Sequence, residues 1–358
     1  MENTRSLYFF LFIALALAYV SAPAASDGSG LKTSVGLDVV GQAGLNSTSG
    51  ASDRLDVREF EVMLYAPADH LFDGMGSIAA HYEGTGIPQV ELHEAYLGSS
   101  KLIPRSRFRA GQYFLGIGRL NQVHRHDWPF ISAPKVHKEF FDAEALLDTG
   151  IEYSYLLPIP HFLEVTAGVT NGFVYGHDHS AGSRPLVPTN YLRTVTYFSL
   201  PWDGGTQIGL NYLGRRGGEG TQRTILGVDL TAKWKEGALL NFLLQSEIWY
   251  RVLTPKGGTT QKAFGLYLYP QYYLGENLFL GLRVDYYSVL NLTDAFGSPV
   301  KSVELNFVPT VTYRPSEFSS IRLAYNLKPE FQGGASTTGH HLELQGVIVL
   351  GAHPAHDF

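Results

Sequence analysis

Residues 302–314 read SVELNFVPTVTYR. In an extended chain successive side chains point to opposite faces. Val303, Leu305, Phe307, Val311 and Tyr313 therefore share one face, and Glu304, Asn306, Thr310, Thr312 and Arg314 share the other. The same two-faced pattern recurs in residues 277–288, where Leu278, Leu280, Leu282, Val284 and Tyr286 oppose Asn277, Arg283, Asp285 and Tyr287. In residues 224–234, Leu226, Val228, Leu230 and Trp234 oppose Asp229, Thr231 and Lys233. A soluble β-sandwich has such alternation too. The length of the runs separates the two cases. Soluble strands average about 5–6 residues, whereas a strand crossing a bilayer needs about 9–11.

Extending the reading outward places strands near 33–45, 55–66, 75–84, 89–98, 105–115, 148–157, 161–171, 190–200, 205–214, 222–235, 237–252, 262–274, 276–289, 301–314, 317–327 and 340–352. That is about 16, an even number, as single-chain bacterial barrels require. Tight connections such as Lys235-Glu236-Gly237 and Pro315-Ser316-Glu317 alternate with longer polar ones at 46–54, 172–189, 253–261, 290–300 and 328–339. Alternation of short turns with long loops is the habit of membrane barrels. The longest connection, 116–147, leaves the fifth strand and is the third outward loop.

Composition agrees with a wall between lipid and water. Charged residues are 17% of the 358-residue chain, below the soluble average of about 25%, while aromatics reach 13% and there are 39 glycines. With no later apolar run long enough for a spanning helix, a membrane location demands a closed barrel, because backbone amides in hydrocarbon need partners. The net charge of −6 and the lack of a basic run argue against nucleic acid. The absence of cysteine removes disulfides and thiolate chemistry. Arg5, the apolar run Leu7–Val20 and Ala22-Pro23-Ala24 read as an export signal cleaved after Ala24, with Ala25 as the alternative. The expected organisation is thus a signal peptide at 1–24 and an outer-membrane β-barrel at 25–358.

The export signal, the strand count, the long third loop and the terminal Phe358 together resemble the bacterial outer-membrane porins with 16 strands. Residues Phe108-Arg109-Ala110-Gly111-Gln112-Tyr113-Phe114 look somewhat like the phosphate-selective porins. The segments His124-Arg125-His126-Asp127-Trp128 and Gly351-Ala352-His353-Pro354-Ala355-His356 are similar to outer-membrane proteins linked to zinc regulation. Some of those are TonB-dependent receptors, but this chain has no room for a plug domain. The resemblance implies that residues 116–147 fold into the lumen and narrow it. It also implies a homotrimer, and delivery by the barrel-assembly machinery through the last strand, which ends in Phe358.

Three groups of residues carry the chemistry expected. Arg105, Arg107 and Arg109 project from one face of a strand. An arginine facing lipid near the midplane costs about 2–4 kcal/mol, so they form a ladder in a wet lumen, or the lower ones anchor to headgroups. Opposed by Asp127, Glu139, Asp142 and Glu144 of the third loop, a ladder sets up a transverse field across the constriction. His124, His126, His137, His177 and His179 are the metal-ligand candidates, since imidazole beside carboxylate suits transient Zn²⁺ binding. No other cofactor is indicated. A catalytic reading finds neither G-x-S-x-G nor H-E-x-x-H, and His93-Glu94 lacks the second histidine. The expected activity is passive diffusion of small hydrophilic solutes or ions. The alternatives are a channel for a divalent metal such as zinc or its chelate, and a closed barrel acting as an enzyme or surface-binding protein.

Overall fold

The computed structural model describes residues 30–47, 53–81, 88–173, 184–237, 239–293 and 297–351. The export signal at 1–24, His177, His179, His353, His356 and Phe358 lie outside the described residues. Sixteen strands run in chain order: β1 (Lys32–Gly44), β2 (Arg54–Pro67), β3 (Asp73–His81), β4 (Gln89–Ser99), β5 (Ser106–Phe114), β6 (Leu147–Leu156), β7 (Leu163–Thr170), β8 (Val187–Leu200), β9 (Gly204–Arg216), β10 (Gln222–Glu236), β11 (Leu239–Thr254), β12 (Gln261–Tyr273), β13 (Leu278–Val289), β14 (Ser302–Ser316), β15 (Ser319–Gln332) and β16 (Ala335–Gly351). Each pairs antiparallel with its sequence neighbours, and β1 closes on β16 from Ser34↔Gly351 to Gly44↔His341. Closure leaves no edge, so every strand satisfies its backbone on both sides.

Burial is inverted relative to a soluble protein. On β16, Leu344 is 51% exposed while its neighbour Gln345 is 0% exposed. On β14, Phe307, Val311 and Tyr313 are exposed and Asn306, Thr310 and Thr312 are buried. Leu278, Leu280 and Leu282 of β13 are likewise exposed, while Arg283 and Asp285 are buried. A dry shared core would reverse both faces. This pattern instead belongs to a barrel with lipid outside and polar groups inside.

One expected connection is absent. Residues 328–339 do not form a long loop: β15 and β16 continue pairing out to Gln332↔Ala335 and turn at Gly333 and Gly334. Both glycines have positive φ, 58° and 86°. A two-residue hairpin needs that conformation and glycine adopts it without steric cost. Lys328, Glu330 and the Ser336-Thr337-Thr338 run lack apolar alternation because this part of the hairpin needs no lipid face.

Two β-bulges turn extra polar side chains into the barrel. Asp38 pairs with Glu59 but Val39 with Val57, so Arg58 is the extra residue. Ser77 pairs with Glu94 but Ile78 with Leu92, so His93 is extra. A bulge breaks the in–out alternation. As a result Arg58 and Glu59 are both buried, and so are His93 and Glu94.

Candidate functional site

The connection from β5 to β6, residues 115–146, contains two single 3-10 turns and one short helix, α1 (Lys135–Phe141). Asn121 ties its two ends together. The Asn121 amide donates to the carbonyls of Leu115 at 2.9 Å and Leu146 at 3.1 Å, and its oxygen accepts from the Leu146 N–H at 2.6 Å.

From there the segment meets strands around much of the ring. Glu247 of β11 accepts from the backbone N–H groups of Arg119 at 2.7 Å and Leu120 at 2.6 Å. The Tyr269 hydroxyl of β12 donates to the Pro129 carbonyl at 2.9 Å. Arg283 of β13 donates to the carbonyl of Ser132, and Arg58 of β2 to that of Ile131. Arg251 of β11 donates to the Glu139 carbonyl at 2.6 Å. Trp128, Phe130, Val136, Phe140 and Phe141 pack with Trp249, Tyr267, Tyr269 and Tyr287 in one buried apolar cluster. At Gly265 of β12, a Cβ would sit 2.7 Å from Val136, so glycine is what lets α1 approach this strand.

The arginine ladder borders a cavity of about 900 Å³, bounded on one side by Gly116, Arg119, Gln122 and Val123. Arg105 lies in the β4–β5 turn with φ 63° and donates to the carbonyls of Leu156 and Leu157. Arg107 pairs with Glu164 at 2.7 Å. Arg109 pairs with Glu152 at 2.6 Å and lies 4.2 Å from the Tyr113 ring centre. Arg119 and Arg193 add to the lining, giving five arginines against Asp73, Glu152 and Glu164. The carboxylates that pair with the ladder, Glu152 and Glu164, come from β6 and β7.

The four loop acids sit elsewhere. Asp127 is 3.4 Å from His126 Nε2, and Glu139 pairs with Lys135 at 3.0 Å. Asp142 caps the Ala143 N–H at 2.5 Å. Glu144 is buried 3.8 Å from His93 Nδ1 and 3.9 Å from His81 Nε2.

Those last contacts belong to a second polar centre. His81 of β3, His93 and Glu94 of β4, and Glu59 and Glu61 of β2 meet His124, His126 and Glu144 of the connecting segment. His124 Nδ1 is 3.0 Å from Glu61 Oε2, and His124 Nε2 is 3.2 Å from Glu94 Oε2. His93 Nδ1 is 3.3 Å from Glu61 Oε1, and His126 Nδ1 is 2.8 Å from Glu59 Oε1. Burial alone would lower the affinity of His124 for a proton, but Glu61 and Glu94 outweigh it and raise its pKa well above the ordinary value. His137 stands apart. Its Nε2 donates to the Glu144 carbonyl at 2.7 Å, and burial, reinforced by Arg125, takes it down to about 4. Among the described residues, the groupings with metal-ligand geometry include His124 and His126 but not His137.

The sequence profile of the beta-barrel porin-2, OmpL-like family matches residues 140–336, more than half of the chain. The chain belongs to that family. An uncharacterized protein of Aquifex aeolicus (strain VF5) is 26% identical to this OmpL-like porin-2 member over 331 residues, covering 83% of this chain and 69% of its own length. The in-vitro folded outer-membrane protein OmpT of Vibrio cholerae superposes with a TM-score of 0.62 at 9% identity, covering 91% of this chain and 99% of OmpT. The outer-membrane channel DcaP of Acinetobacter baumannii gives a TM-score of 0.58 at 13% identity, with 90% and 96% covered. An anion-selective porin from Comamonas acidovorans gives 0.60 at 10% identity, with 90% and 99% covered. At such identities the likeness to solved structures is one of fold, and it confirms a 16-stranded antiparallel barrel of the porin kind for this porin-2 member.

Proposed function

We propose that the protein is an outer-membrane porin through which small hydrophilic solutes or ions diffuse passively, and that residues 115–146 lie in the lumen as its constriction. The observation that carries this reading is the inverted burial: an apolar exterior around a polar interior that still holds a cavity of about 900 Å³. Hydrogen bonds between residues 115–146 and buried-face residues of β2, β9, β11, β12 and β13 support the constriction. Export by removal of residues 1–24 belongs to the same reading. So does a homotrimer, for which the trimer form described for OmpT is the support. A preference for anions belongs to the same reading, from the positive excess around the cavity and the resemblance of the run 108–114 to phosphate-selective porins.

Purified barrel in planar bilayers should give stepwise conductance, with a reversal potential in a salt gradient on the anion-selective side. A protein that inserts and carries no current overturns the reading.

A second reading, a channel for a divalent ion or its chelate, is favoured by the imidazole–carboxylate centre at His93 and His124. It predicts current carried by zinc itself.

A further inference from the structure

We propose that Glu61, His93 and His124 hold a resident divalent ion with the ligand preference of zinc, clasping residues 115–146 to the β2–β4 wall. The inference goes beyond both readings, since the ion is a fixture and not cargo, and it rests on residues 115–146 being the constriction.

Donor spacing is the first support. Zinc bonds of about 2.0–2.2 Å in tetrahedral geometry hold neighbouring donors roughly 3.3–3.6 Å apart. His93 Nδ1, 3.3 Å from Glu61 Oε1, is at the lower edge of that range, and His124 Nδ1, 3.0 Å from Glu61 Oε2, needs to give by a few tenths of an ångström. The three residues each offer one donor atom, and those atoms lie within 4.8 Å of one another. All three residues are buried. Glu61 Oε2 and His124 Nδ1 are both buried and face each other 3.0 Å apart across the boundary between wall and segment. A cation bound between them takes the place of the proton that otherwise bridges carboxylate and imidazole.

The far sides of the two rings agree. A histidine that ligates through one nitrogen usually donates its other N–H to a fixed acceptor, which sets the tautomer and ring orientation. His124 Nε2 faces Glu94 Oε2 at 3.2 Å, and His93 Nε2 faces His81 Nε2 at 2.7 Å. Both rings can therefore present Nδ1 to the same point. Charge points the same way. Glu59, Glu61, Glu94 and Glu144 are all buried in this centre. Four carboxylates out of water need positive charge beside them, and a divalent ion adds two charges at one point to what the surrounding imidazoles carry.

The ligands straddle a boundary. Glu61 and His93 come from wall strands and His124 from the connecting segment. An ion between them cross-links wall and segment at positions far apart along the chain. Its burial also sets its kinetics: an ion enclosed by ligands this deep exchanges slowly, whereas a transported ion must leave quickly.

The test uses tag-free, refolded full-length barrel in detergent, stripped by acid and chelator and then titrated with Zn²⁺ alone. We expect one equivalent bound at micromolar affinity or tighter and retained through prolonged dialysis against EDTA at neutral pH. Glu61→Gln and His124→Ala should each weaken binding by about a hundredfold or more, while His137→Gln leaves it unchanged. Heat-modifiable migration on gels confirms that each variant is folded. If a variant fails that check, His93→Gln takes its place. Absence of saturable binding to the folded barrel, equal affinity in the ligand variants, or loss of zinc within seconds of adding chelator overturns the proposal. Conductance recorded on the same preparations keeps the two readings apart. A barrel that conducts without binding zinc defeats the clasp alone, and one that binds zinc without conducting defeats the pore alone.

Discussion

Where β11, β12 and β13 meet residues 128–141, the contact is ring against ring; where β2, β3 and β4 meet residues 124–144, it is imidazole against carboxylate. On the first side Phe141 stacks edge-on to Trp249 at 4.7 Å between centres, and Phe130 meets Tyr269 at 5.2 Å. On the second side His126 meets Glu59 at 2.8 Å and His124 meets Glu61 at 3.0 Å. Apolar contact is insensitive to salt and to small ions. A cluster of buried titratable groups is the opposite: its strength follows the protons and cations present. The aromatic side therefore sets where the segment sits, and the charged side makes its attachment conditional. The cavity beside the arginines is walled by residues from Tyr65 of β2 round to Gln207 of β9 and by Gly116, Arg119, Gln122 and Val123 of the segment.

The largest expected effect comes from removing the segment from both sides at once. Replacing residues 118–144 by a short Gly-Ser linker should raise single-channel conductance several-fold while the barrel still migrates as folded. Unchanged conductance would mean that the segment does not narrow the route.

Loosening only the aromatic side is the next test. Phe140 and Phe141 are almost fully buried in the apolar cluster. Changing either to Ala should cost about 3–5 kcal/mol of local packing. Because the strands pair independently of these rings, the loss should appear as noisy, larger conductance and as protease cuts within 115–146. A fall in the unfolding temperature of the whole barrel without new cuts would show that the rings stabilise the wall instead. Gly265→Leu should act in the same direction by pushing α1 away from β12.

On the polar side, Arg109→Gln should change selectivity more than conductance. It leaves Glu152 beside the cavity without its 2.6 Å partner. The reversal potential should move toward cations by enough to see at 0.1 M salt, where the Debye length is about 10 Å, and less at 1 M, where it is about 3 Å.

The same contrast governs how much of the molecule is legible in the sequence. Strands such as 302–314 announce themselves, because lipid outside and polar groups inside enforce strict alternation over a long run. The aromatic half of the segment is visible only as Trp128, Phe130, Phe140 and Phe141 without a periodicity to place them. The charged half is half-visible: His124 and His126 stand out as a pair, but Glu59, Glu61, His81 and His93 do not. Two bulges hide them. With strict alternation His93 and Glu94 face opposite ways, and so do Arg58 and Glu59; an extra residue in each strand turns both members inward. Two acidic residues at 59 and 61 with one parity were the available signal. The loop acids pose the converse problem, since residues in irregular backbone carry no parity, and nothing in sequence directs Glu144 to the histidines instead of the arginines.

The smallest effect is the one that separates a lumen ladder from a headgroup anchor. The Arg107 side chain is 54% exposed and pairs with Glu164 at 2.7 Å. An ion pair that open to water contributes little to stability, so Arg107→Gln should leave unfolding unchanged. Its field on a passing ion is screened by the same water. The reversal potential should therefore shift in the same direction as for Arg109→Gln, by a clearly smaller amount, and the shift should vanish at 1 M salt. If Arg107 instead touches headgroups, the substitution leaves selectivity untouched at every ionic strength and weakens insertion into anionic bilayers. A shift as large as that of Arg109→Gln would place the narrowest, least screened point of the route nearer the β4–β5 turn than residues 115–146, and the constriction would then belong to the wall and not to the segment.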